Sequence, residues 1–170
     1  MSKTHSFPES EPDAELLRFA EERRGQSQKR RQMSGALKIV MTPLLRRHGF
    51  AGSCPRFRRL GKERYDLLVF LFNKFDNSFL IDIGQCTPAW YRRERSIYFA
   101  PERLMPWSLP PSQRAYIQPR PGKLTADCFQ YGDAKTREDY MRIAVSVVPF
   151  MERAVEMFDN FAEVETLDKR

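Results

Sequence analysis

The chain has 170 residues with 41% apolar, 30% charged and 12% aromatic side chains, the make-up of a folded globular domain rather than a disordered, collagenous or membrane-embedded chain. At about 100–200 residues per domain the length fits one domain, and a chain this size buries roughly 70% of its unfolded surface, so disulfide or metal staples are not required. The net charge of +7 is unevenly spread: residues 34–65 hold eight Lys/Arg against one acid and 92–124 seven against two, whereas 125–170 hold six against ten.

Residues 1–12 are rich in Ser, Pro, Glu and Thr and nearly devoid of apolar side chains, so a flexible tail is expected there, with a single domain over 13–165 and a flexible C-terminus over 166–170. A first helix is predicted from Asp13 as N-cap, with Leu16, Leu17, Phe19 and Ala20 as a narrow apolar stripe before Gly25. A stronger helix follows over 28–48, where Leu37, Val40, Met41, Leu44 and His48 recur at intervals of three and four. Gly49 suits the left-handed position that closes such a helix, with Phe50 folding back on the last turn. Pro43 predicts a kink, or a restart capped by Thr42, because it has no N–H to give and disfavours the helical conformation of the residue before it.

A meander is predicted next. Arg56 to Leu60 reads as a short polar strand, Gly61-Lys62 as a turn, and Tyr65 to Asn73 as a strand apolar on both faces, hence central. After the turn Asp76-Asn77-Ser78, the alternation of Phe79, Ile81 and Ile83 with Leu80, Asp82 and Gly84 marks a second central strand. Five prolines between Thr87 and Pro111 forbid a long element, yet Trp90, Tyr91, Tyr98, Phe99 and Trp107 lie there. Such a segment either wraps the sheet or carries a binding surface. Short strands are predicted over 114–118 and 125–131. The final helix opens with the capping-box pattern Thr136 to Asp139 and carries Tyr140, Ala144, Val147, Met151, Ala154, Phe158 and Phe161 as one apolar seam, interrupted by Pro149.

Several chemistries are poorly supplied. The longest apolar run, Leu67 to Phe72, is far short of the roughly 20 residues of a membrane span, and Met1 to Ser10 has no apolar signal core, so a cytoplasmic location is expected. Cys54, Cys86 and Cys128 have neither disulfide nor zinc-ligand spacing. Neither a dinucleotide-binding nor a P-loop glycine pattern occurs, and His48 is the one imidazole outside the tail. Asp66 and Asp82 lie on neighbouring predicted strands; in one shared pocket, their repulsion would raise one pKa and permit acid–base chemistry. The plainer expectation is that each faces solvent or an arginine. No cofactor and no metal are expected.

The sequence Leu44-Leu-Arg-Arg-His-Gly-Phe50, then Phe57-Arg58, then Phe79-Leu-Ile-Asp-Ile-Gly84 resembles a widespread bacterial family of domains of unknown function that read roughly LKPLLKKxGF, FxR and FxINLG. The resemblance implies a small α+β domain with a helix first, an antiparallel sheet next and a helix last. It implies no catalytic residue. Asp82 stands where Asn is commoner, and the Pro-rich stretch 87–111 looks peculiar to this chain.

The reading is therefore one α+β domain, an antiparallel sheet of four to six strands packed against N-terminal and long C-terminal helices. Arg46, Arg47, Arg56, Arg58, Arg59, Lys62 and Arg64, together with Trp90, Tyr91, Arg92, Arg93, Arg95 and Trp107, are the expected binding residues, since Arg and aromatic side chains both anchor interfaces and stack on bases. The expected function is a non-enzymatic module holding an acidic protein partner, toxin neutralisation being one version of it. Single-stranded nucleic-acid binding by the same surface is the alternative, and an enzyme using Asp66, Asp82 or His48 the third.

Overall fold

A computed structural model describes residues 14–119 and 127–167, and the side chains of 21–119 and 127–160. The expected tail, the Asp13 cap, Phe161 of the apolar seam and residues 168–170 lie outside that description.

α1 runs unbroken from Ala14 to Arg47, so the two predicted helices are one. Gly25 is exposed and Pro43 and Ile39 both face outward, which puts the Ile39 carbonyl that loses its partner on the solvent side. Met33, Leu37, Met41, Leu44 and Leu45 are buried on both sides of Pro43, and that packing outweighs the ~3 kcal/mol cost of an interior proline. Gly49, at φ +82°, ends the helix: its N–H bonds to Arg46 O at 3.0 Å while that of Phe50 reaches Leu45 O at 3.0 Å, the paired bonds of a Schellman motif.

The strands β1 (Ala51–Ser53), β2 (Arg56–Leu60), β3 (Tyr65–Phe72), β4 (Ser78–Cys86), β5 (Arg114–Ile117) and β6 (Phe129–Gln130) form one antiparallel sheet. Its order is β1-β2-β3-β4-β5, with β6 pairing the start of β4. β1 has no counterpart in the sequence reading, because Ala-Gly-Ser carries no strand signal; it exists through pairing with Arg56, Phe57 and Arg58. The register places Phe57, Asp66, Leu68, Phe70, Phe79, Ile81, Ile83, Gln85, Ala115 and Ile117 on one face. Most join the main core with α1, α3 (Arg137–Ser146) and α4 (Val148–Leu167). Thr136 and Asp139 make both bonds of the predicted capping box. The helix breaks at Val147, just ahead of Pro149, yet Tyr140, Ala144, Val147, Met151, Ala154 and Phe158 stay buried as one seam across the break. The fold is a single α+β domain.

The Pro-rich segment wraps the opposite face. Thr87 caps α2 (Pro88–Glu94) by accepting from Trp90 N at 3.1 Å. Three single turns of 3-10 helix follow, at Pro101–Arg103, Pro106–Ser108 and Pro111–Gln113, each with proline in first position, where the missing N–H is harmless. Leu104, Leu109 and Tyr91 bury Leu67 and Cys86 in a second, smaller core. Gly84 makes this close approach possible: a Cβ there would sit 2.8 Å from Leu109 Cδ1 and 3.2 Å from Pro106 Cα.

Candidate functional site

The candidate binding residues divide between the two faces. Arg59 and Arg64 belong to the helix-covered one. Arg59 Nε donates to the fully buried Asp66 carboxylate at 2.7 Å, Gln85 Nε2 donates to it at 2.6 Å, and Arg64 Nε lies at 3.4 Å. Both arginines also reach Asp159 on α4. Arg59 Nη1 bonds to His48 O, Arg64 Nη1 to Phe158 O, and the Arg59 guanidinium stacks over Phe50. These two guanidiniums are committed to tying β2, β3, α1 and α4 together.

Arg56 and Arg58 project from the same strand to the other face, beside Val69 and Leu67. Across the sheet, that face carries Asp82, Arg114 and Tyr116. Arg114 Nη2 donates to Asp82 Oδ2 at 2.7 Å and to the Tyr116 hydroxyl at 2.9 Å. Asp82 is fully buried. Burial pushes its carboxyl above the usual range, opposed by the Arg114 hydrogen bond and charge. Asp82 Oδ1, Arg114 Nε and Gln113 Oε1 are buried without a hydrogen-bond partner among the described residues.

The wrapping segment packs on the Leu67–Gly84 row of this face, and Val69 and Asp82 in the next row are buried as well. Beyond it lie the rows Arg56–Val69–Asp82–Tyr116 and Leu71–Leu80. Leu71 and Leu80 are half-buried, Arg56 is exposed, and Tyr116 is 53% exposed. Trp107, 48% exposed, is carried by the wrapping segment. The result is an apolar floor with arginine and aromatic edges.

Arg95 holds the segment together, donating from Nε to Ser108 O at 3.0 Å and stacking on Trp90. Tyr91 is buried against Tyr65, its hydroxyl donating to Phe99 O at 2.8 Å. Trp90 is half-buried in the same cluster. Arg92 and Arg93 are exposed on α2, Arg93 pairing with Glu94; Arg46 and Arg47 are exposed on the last turn of α1, and Lys62 in the β2–β3 turn. Arg114 and Tyr116 were not among the expected residues. Their alternation within a predicted strand is visible in the sequence, but the register that sets them against Asp82 is not.

The shared-pocket idea for Asp66 and Asp82 does not hold, because the register sends them to opposite faces, each onto an arginine. His48 is exposed. The Cys54 thiol is pushed up to about 11 by burial, against the Ser34 hydrogen bond and the Lys38 charge, and is not a thiolate at neutral pH. Among the described residues no group of three His, Cys, Asp or Glu is placed to hold a metal ion, and no helix is long and apolar enough to cross a membrane.

The family model of a domain of unknown function, DUF4304, matches residues 41–159. The chain belongs to that family. The DUF4304 region contains the whole sheet, the wrapping segment and the buried parts of α3 and α4; most of α1 precedes it. No curated protein and no solved structure matches the chain.

Proposed function

We propose that this DUF4304 domain is a bacterial cytoplasmic, non-enzymatic binding module whose open sheet face holds an acidic segment of a partner protein, toxin neutralisation being one form of such binding. The observation carrying this reading is that Arg56, Arg58 and the Asp82–Arg114–Tyr116 chain share the sheet face opposite α1, α3 and α4. Arg56 and Arg58 make no ion pair among the described residues, so their charge is available to a carboxylate, which arginine grips in bidentate fashion. An apolar floor with Arg, Tyr and Trp at its edges is the composition of protein interface cores.

Selection from a displayed library of short acidic peptides tests the reading. Peptides recovered by the wild type are expected to lose about tenfold or more in affinity, ~1.4 kcal/mol, for an Arg56→Glu/Arg58→Glu variant with unchanged melting temperature. Equal affinity for both overturns it. Exposed Trp107 and Tyr116 favour one competing reading, single-stranded nucleic acid. It requires oligonucleotide anisotropy to rise at low salt and fall log-linearly as salt increases.

A further inference from the structure

At the other end of the β3–β4 hairpin, away from the wrapping segment, a cleft of about 730 Å³ opens between α1 and the turn at 73–77. Its size lies within the roughly 300–1,000 Å³ of small-molecule sites. Arg23 and Arg30 line it from α1, seven residues apart and so on one side of the helix. Lys74 and Phe75 line it from the turn, whose shape is fixed by the Phe75 N–H donating to Asn73 Oδ1 at 3.0 Å. That turn leaves the Phe75 ring 88% exposed.

The charges of the cleft are unbalanced. Arg23, Arg30 and Lys74 make no ion pair among the described residues. Of the two acids on its wall, Asp76 accepts from Asn73 Nδ2 and Ser78 Oγ, which leaves Glu22 on the exposed rim as the free counter-charge. The Arg30 guanidinium lies over the Phe72 ring at 5.1 Å, a stacking that holds its plane while its edge N–H groups stay available. Tyr131 is 2% exposed and lines the cleft. Three cations without an ion pair among the described residues, a tyrosine and an exposed ring thus meet in one concavity.

We infer that this cleft binds a small phosphate-bearing molecule with a planar ring, of mononucleotide size, with Arg23, Arg30 and Lys74 on the phosphate and Phe75 against the ring. Guanidinium and ammonium groups supply the strong charge-assisted bonds that phosphate accepts, and a solvent-facing aromatic ring supplies stacking. The cleft shares no residue with the open sheet face, so either reading survives the failure of the other.

Calorimetric titration of the full chain with nucleoside monophosphates, the matching nucleosides and inorganic phosphate provides the test. The monophosphate is expected to bind most tightly of the three. An Arg23→Gln/Lys74→Gln variant, altered only at exposed positions and with unchanged melting temperature, is expected to bind it about tenfold or more weakly. Phe75→Ala is expected to abolish the preference for nucleotide over inorganic phosphate while leaving phosphate binding in place. Arg56→Glu/Arg58→Glu is expected to bind as the wild type does. The inference is overturned by absence of binding at millimolar monophosphate, by nucleosides binding as tightly, by a double variant indistinguishable from the wild type, or by oligonucleotides binding where mononucleotides do not.

Discussion

One face of the sheet is sealed by helices whose apolar stripes run the length of the core, and the carboxylate buried there, Asp66, accepts from Arg59 and Gln85 and pairs with Arg64. The other is covered in part by proline-punctuated turns, and its buried carboxylate, Asp82, has one oxygen bonded to Arg114 and the other without a hydrogen bond among the described residues. The contrast separates two environments. A fully satisfied network rigidifies the fold, whereas a buried polar atom without a partner weighs against stability.

The largest expected effect falls on the satisfied face. Asp66→Asn removes the charge that Arg59 and Arg64 share and is expected to lower stability by about 3 kcal/mol in urea denaturation; a loss below about 1 kcal/mol would erase the distinction between the faces. Gly84→Ala comes next, because its methyl collides with Leu109 and Pro106, and overpacking of this kind costs about 2 kcal/mol. It should also change the near-ultraviolet signal of Trp90 and Trp107, whereas an unchanged spectrum would mean that the segment does not rest on Gly84. Arg95→Ala, which frees Ser108 O and uncovers Trp90, is expected to cost about 1 kcal/mol and to admit protease between Glu94 and Pro110.

Asp82→Asn has the smallest expected effect near neutral pH, within about 1 kcal/mol of wild type, and is the most informative through its sign. Desolvation lifts the Asp82 carboxyl against the pull of Arg114. Its contribution to stability is therefore full below the ordinary carboxyl pKa and declines as pH rises through the raised value, so the variant gains on the wild type from acid towards neutral. At Asp159 desolvation pushes upward too, but the bonds and charges of Arg64 and Arg59 outweigh it and hold the carboxyl below its usual range. Asp159→Asn should accordingly be a penalty at neutral pH that fades as pH falls through the ordinary carboxyl value. Parallel pH trends for the two variants would refute the assigned environments.

Much of the architecture was legible because it is written in short periods: the two-residue alternation of Phe79, Ile81 and Ile83, the three-and-four seam from Tyr140 to Phe158, and the Thr136 cap all appear where the spacing predicts. α1 was misread as two helices because Gly25 and Pro43 are local breakers whose effect is decided by non-local burial of Met41 and Leu44. The division of the basic residues was also hidden. Arg58 and Arg59 are neighbours in sequence but sit on opposite sides of a strand, and Asp159, one of the two carboxylates that hold Arg59 and Arg64, lies about a hundred positions away. Tyr116 went unnoticed because nothing in a four-residue strand reveals which residue will oppose it.

Asp159 and the Phe158 carbonyl are contributed by α4, yet they complete bonds to Arg59 and Arg64, which leave the ribosome about a hundred residues earlier. The β2–β3 hairpin can close its own backbone ladder as soon as it emerges, but Arg64 and Gln85 lack the Phe158 carbonyl until the C-terminal helix docks. Completion of this clasp thus waits for α4, and a nascent chain halted before Phe158 carries the strands with the clasp still undone.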